Sequence, residues 1–97
     1  MAERLTVIAR MKAKQGMEEQ LKQELLGLLP PTRAEEGCIN YDLHQSAQDG
    51  SRFLFHENWE SEECLKKHSQ SEHLKRFRAR VKEMLDGPAE IEIWKAL

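Results

Sequence analysis

Four stretches of this chain alternate apolar and polar residues with the two-residue period of a β-strand. Helical periodicity separates the first from the second and the third from the fourth. That order, βα-ββ-αβ, restricts the fold more than any other feature. "RLTVIARMKA" (Arg4 to Ala13) sets Leu5, Val7, Ala9 and Met11 on one face and Thr6, Ile8 and Arg10 on the other. Gly16 breaks the pattern, and from about Met17 the residues Met17, Leu21, Leu25 and Leu28 form a helical stripe. Pro30 and Pro31 stop or kink that helix, because proline has no N–H to donate and biases its predecessor away from helix. A short turn or second helical piece then reaches Gly37. "CINYDLHQ" alternates Ile39, Tyr41 and Leu43 against Cys38, Asn40, Asp42 and His44; "QDGS" supplies turn chemistry, and "RFLFHENW" returns as the partner strand of a hairpin.

Ser61 is placed to cap a short helix running to about His68, its hydroxyl accepting an orphan amide. Ser69 and Glu72 fit a capping box for the next helix, which aligns Leu74, Phe77, Val81, Met84 and Leu85 on one face and ends at Gly87 and Pro88. "AEIEIWKAL" closes the chain as a strand. The expected fold class is α+β: a ferredoxin-like split βαβ, with an antiparallel four-stranded sheet and helices on one face.

With 97 residues the chain reads as a single domain, 1–97, without linker, repeat or low-complexity tract. Fifteen basic and 17 acidic residues leave a net charge of −2, which gives no global pull toward nucleic acid or a membrane surface. No apolar run approaches the ~18 residues of a membrane span, and "MAERLTVIAR" lacks a secretory pattern. Two cysteines, Cys38 and Cys64, are too few for a disulfide framework, so a reducing, cytoplasmic setting is expected. Two main helices can cover only one sheet face, yet Ile8 and Leu54 fall on the opposite face from Val7, Phe53 and Phe55. Each large apolar side chain left uncovered forfeits roughly 1.5–3 kcal/mol. A homodimer with sheets packed face to face is the expected cover.

The segments "EEGCINYDLHQS" and "FLFHENWESEECLKKHSQSEH", in this element order, resemble the antibiotic biosynthesis monooxygenase domain family, in particular its small quinol-monooxygenase-like members. The likeness spans nearly the whole chain; its strongest part is Glu57-x-Trp59 followed by His68 and His73. It implies a dimeric α+β barrel with one pocket per subunit between sheet and helices. It also implies oxidation of a small electron-rich aromatic, a hydroquinone or phenol, by O2 to a quinone, with no cofactor: neither metal, flavin nor haem. Other relatives degrade haem or act on small molecules non-oxidatively. The haem-degrading branch relies on an asparagine, a tryptophan and a histidine ligand; the approximate alignment sets Ala9, Trp59 and Arg78 there, and an arginine cannot be an axial ligand. Two further readings stay open: a non-oxidative isomerase of a small hydroxyketone, and a non-catalytic dimeric ligand-binding module.

If Trp59 faces the helices, as the resemblance implies, Glu57, Phe55 and Phe53 share that face. The indole is then either a platform for a flat substrate or plain core. Glu57 on an aromatic face is either a general base with a raised pKa or a rim residue paired with an arginine. His68 and His73 can exchange protons near neutrality, or serve as a helix-capping and a surface histidine. Five residues apart, they would point about 140° apart on a continuous helix. Sequence offers no further ligand beside them, so no metal is expected. The candidate catalytic residues are therefore Glu57 and His68, and the candidate substrate-binding residues Trp59, Tyr41, Phe55, His73 and Phe77. Basic residues on the last helix (Lys75, Arg76, Arg78, Arg80, Lys82) read as a solvated face, and no interleaved aromatics suggest nucleic acid.

Overall fold

The computed structural model describes residues 3–97. Its elements are β1 (Leu5–Lys12), α1 (Glu18–Gly27), α2 (Leu29–Arg33), β2 (Cys38–Gln45), β3 (Arg52–Trp59), α3 (Glu62–Ser69), α4 (Glu72–Val81) and β4 (Glu90–Lys95). The strands form one antiparallel sheet in the order β2-β3-β1-β4. This is the ferredoxin-like arrangement the element order predicts.

Strand alternation builds the core. Leu5, Val7, Ala9 and Met11 of β1 are buried, as are Phe53, Phe55, Glu57 and Trp59 of β3. The register pairs these inner-face residues directly: Leu5 with Trp59, Val7 with Glu57, Ala9 with Phe55 and Met11 with Phe53. Leu21 and Leu25 of α1 and Leu28 just beyond it close over them, and Phe77 and Val81 of α4 complete the layer.

The first helix ends before Pro30 and Pro31, and a second helical piece follows: α2, whose first positions the prolines occupy, where a missing N–H costs nothing. Three local expectations are corrected. Ile39 and Tyr41 do not share a face. A bulge between Cys38 and Asn40 inserts Ile39 as an extra residue, so that Cys38, Tyr41 and Leu43 oppose Trp59, Glu57 and Phe55, while Ile39 is 44% exposed. The cap of α4 is Ser71, whose Oγ accepts from the Leu74 amide; Ser69 is the last residue of α3. Helix α4 also stops at Val81, so Met84 and Leu85 join the core from the turn beyond it, where Leu85 bridges to Ala13. Ser61 caps α3 as its chemistry suggests, accepting from the Cys64 amide.

The helices leave the β4 side of the inner face uncovered. Ile91 and Ile93 pair with Ala9 and Val7 on that face, yet they are 60% and 59% exposed. The outer face carries Ile8, Leu54 and an exposed Trp94 around a polar belt, in which Asn40 and Asn58 bond each other and reach Asp42, His56 and Thr6. Across the β2–β3 hairpin His56 pairs with Asp42 and His44 with Leu54.

Candidate active site

A cavity of roughly 650 Å³ lies between the inner face of the sheet and helices α3 and α4. That is within the usual range for a small-molecule site. β1 contributes Val7, Ala9 and Met11; β2 and β3 contribute Tyr41, Phe55 and Glu57. The helices add Leu65, His68, Leu74, Phe77 and Val81. Ile91 and Ile93, half open to solvent, mark its mouth. The wall is overwhelmingly apolar, with Glu57, His68 and Tyr41 as its buried ionisable groups.

Glu57 is 4% exposed and its Oε1 accepts a hydrogen bond of 2.9 Å from Trp59 Nε1. This disposes of the rim alternative: among the described residues no arginine pairs with the carboxylate. Its other oxygen has no protein partner and is not sealed in protein, so it faces the cavity. Burial raises the carboxyl pKa from 4.5 to about 7; the indole N–H opposes the rise and the charge on Glu35 adds to it. A carboxylate in an apolar wall is thus poised to take a proton near neutrality.

Trp59 itself does not line the cavity. Its ring is fully buried, contrary to the expectation of a substrate platform. It lies behind the cavity wall, hydrogen-bonded to Glu57 and packing with ring centroids 4.7 Å from His68. Tyr41 does reach the cavity, stacked on Phe55 with centroids 4.4 Å apart. Burial and the nearby Glu57 charge push the Tyr41 phenol far up, so it stays protonated and can donate.

The histidines depart most from the spacing argument. Gln70 leaves the helical region and Ser71 is extended, so α4 sets off in a new direction. Both imidazoles then converge on one oxygen, Glu35 Oε2: His68 Nδ1 at 2.8 Å and His73 Nε2 at 2.7 Å. His73, expected to contact substrate or solvent, is instead part of this cluster and is not among the residues lining the cavity. Glu35 escaped sequence reasoning, since nothing separates it from Glu36 until the fold is known. Its turn is held against α3 by Gly37, which has φ +84° and whose carbonyl accepts from the Glu60 amide. A Cβ on Gly37 would lie 2.3 Å from Cys64 Sγ.

Glu35, His68 and His73 also form a candidate metal set, with one ligand-capable atom of each within 4.8 Å of the others. The distances favour another reading. Donors around a tetrahedral zinc, bonded at roughly 2.0–2.1 Å, stand about 3.3 Å apart. The Glu35 oxygen lies at 2.7–2.8 Å from both nitrogens, which is hydrogen-bond separation. In this arrangement the three side chains are joined by hydrogen bonds.

Comparison with known proteins agrees with this architecture. Residues 4–80 match the family model described as antibiotic biosynthesis monooxygenase. A Mycobacterium tuberculosis protein named "Putative monooxygenase Rv0793" is 37% identical over 89 residues, covering 92% of this chain and 87% of the relative. "Putative monooxygenase YcnE" of Bacillus subtilis is 32% identical over 83 residues, covering 86% and 87%. Among solved structures, PA3566 from Pseudomonas aeruginosa superposes with a TM-score of 0.93 at 37% identity, over 100% of this chain and 97% of the other.

Proposed function

The chain belongs to the antibiotic biosynthesis monooxygenase family, and from that premise we propose that it oxidises a small electron-rich phenol or hydroquinone with O2 to a quinone, without a cofactor. The observation that carries this reading is the Glu57 carboxylate, buried in the wall of an otherwise apolar cavity with its pKa raised to about 7. Glu57 takes the phenolic proton and leaves an electron-rich phenolate. One electron passes from that anion to O2, and the radical pair recombines to form a C–O bond at a ring carbon bearing hydrogen. Loss of water from the resulting hydroperoxide leaves the quinone. One oxygen atom ends in the product and the other in water, and all electrons come from the substrate. The protein binds, orients and excludes solvent. Phe55, Phe77 and Tyr41 supply the flat apolar walls and a phenol donor.

Oxygen uptake with menadiol and naphthol substrates tests the reading. Wild-type turnover should be lost in the Glu57→Gln, His68→Ala double variant; equal rates in the two proteins would remove the catalytic assignment. The same proton-handling pair would also serve isomerisation of a hydroxyketone through an enolate, and product mass separates the two, because oxygenation adds an atom and isomerisation does not.

We further propose that the working unit is a homodimer, joined through the outer sheet face that carries Ile8, Leu54 and Trp94. The support is Trp94, a large apolar side chain left 58% exposed beside that face. A cytoplasmic setting fits the two free thiols, Cys38 and Cys64. No helix among the described residues is long and apolar enough to cross a membrane.

A further inference from the structure

The oxygenation scheme needs two separate proton events, and Glu57 accounts for the first. Once the C–O bond has formed, the ring carbon still bears its hydrogen, and that proton must leave before water can depart. Besides Glu57, the buried ionisable groups on the cavity wall are His68 and Tyr41. The phenol stays protonated, so His68 is the group able to accept. We infer that Glu35 and His73 are positioning residues for His68, holding its proton on Nδ1 so that the Nε2 lone pair faces the cavity and accepts this second proton. The inference rests on the oxygenation reading and deepens it.

The geometry carries it in three steps. His68 Nδ1 and His73 Nε2 both stand at hydrogen-bond distance from Glu35 Oε2. With Glu35 as a carboxylate, which only accepts, the donor role is assigned to both imidazoles. A neutral histidine with its proton on Nδ1 has its lone pair on Nε2. His68 Nε2 has no protein partner, and it is not among the side-chain polar atoms sealed from solvent; Thr32 Oγ1 alone is sealed and unpartnered among the described residues. It therefore opens onto the cavity that His68 lines.

The ring is also clamped. Trp59 packs against it with centroids 4.7 Å apart and Tyr41 meets it edge-on at 5.4 Å, so the imidazole is held between two aromatic neighbours. Burial lowers the His68 pKa, against the opposing pull of Glu35, which keeps the imidazole neutral and able to accept.

The step balances. Glu57, protonated by the substrate, returns its proton to the peroxide oxygen. Nε2 takes the proton from the ring carbon, the C–H electron pair becomes the second bond of the new carbonyl, and the O–O bond breaks. The departing hydroxide takes the proton back from His68 and leaves as water.

Ring ¹⁵N NMR of histidine-labelled protein reads the tautomer without reference to turnover. His68 should carry its proton on Nδ1 in the wild type; a proton on Nε2 overturns the inference. Kinetically, Glu35→Ala should lower kcat about 10–100-fold, within the range of general-base effects, with KM changed less than twofold and partial recovery in Glu35→Asp. His73→Phe should fall between the two. The pH profile of Glu35→Ala should also move, because Glu35, His73 and Arg78 act on His68 from the neighbouring turn and α4, while Glu57 and Tyr41 flank it from the sheet. An unchanged kcat in a folded Glu35→Ala protein overturns the inference. Should that variant not fold, the wild-type tautomer decides alone. Failure of the oxygenation reading itself looks different: no oxygen uptake by the wild type, whatever the tautomer.

Discussion

Trp59 Nε1 donates a 2.9 Å hydrogen bond to Glu57 Oε1 from a ring that is wholly buried. The two residues lie two apart on β3, so strand alternation puts them on the same face, and the indole reaches back along that face to the carboxylate. A core residue thus holds a cavity residue. The large aromatic does not touch the space where substrate would sit, yet it sets the orientation and charge preference of the group that does.

The buried carboxyl of Glu57 costs stability when it ionises. Its folded pKa, about 7, lies above the ordinary 4.5. Between those values the folded protein holds more protons than the unfolded chain, so stability falls as pH rises from about 4.5 through 7. At pH 8 the burden amounts to about 3 kcal/mol, from ~1.4 kcal/mol per pKa unit. Glu57→Gln should therefore melt several degrees higher than wild type at pH 8 and show little difference at pH 4.5, by scanning calorimetry. Turnover in the wild type should rise with pH through an apparent pKa near 7 and be lost in the variant. A variant less stable than wild type at pH 8 would contradict the cost assigned to the buried charge.

Trp59→Phe keeps an aromatic ring and removes the N–H. That donor opposes the upward shift at Glu57, so its loss should push the pKa higher and move the rising limb of the pH–rate profile to more alkaline pH. Rates measured at pH 7 should fall more than rates at pH 9. The smaller ring also leaves a void, with a cost of about 1–3 kcal/mol by denaturant titration. A pH–rate profile that does not shift would show that the hydrogen bond is incidental to proton transfer.

Gly37 keeps Glu35 in reach of both histidines. Its φ of +84° is costly for any other residue, and an added Cβ would lie 2.3 Å from Cys64 Sγ and 2.7 Å from Cys64 Cβ. Gly37→Ala should destabilise by about 2 kcal/mol or more and lower turnover in the fraction that remains folded, because the 34–37 turn must retreat from α3. Gly16 and Gly27 meet nothing within 4 Å of an added Cβ, and Gly27 needs no positive φ, so Gly27→Ala is the control that should leave stability within about 1 kcal/mol of wild type. A tolerated Gly37→Ala would mean that the turn has slack.

The proposed dimer is tested at Trp94. Converting this exposed side chain on the outer face to glutamate should shift the sedimentation coefficient from dimer to monomer. The cavity lies on the opposite side of the sheet, so its lining should be preserved. A wild-type protein that sediments as a monomer at micromolar concentration would overturn the dimer outright.

The element order, the face of β1, the stripe of α1 and the cap at Ser61 were all legible in the sequence, because each depends on neighbours within a few residues and on the periods of helix and strand. So was the parity that sets Glu57 on one face of β3 with Phe53 and Phe55, whereas its burial, as against a place at the rim, was decided by the docking of the helices. What strand and helix periodicity could not supply were the events in which a single residue changes the count. The bulge at Ile39 reversed the facing of β2 before Tyr41, and the break at Gln70 and Ser71 turned two histidines that a continuous helix would separate toward one carboxylate. The same holds for Trp59, whose chemistry suits a binding wall and a core equally; only the packing of α3 against β3 assigned it to the core. Local periodicity settles which side of an element a residue occupies. Which residues from distant elements meet, Glu35 with His68 and His73 above all, follows from how those elements dock, and that depends on contacts 33 and 38 residues apart along the chain.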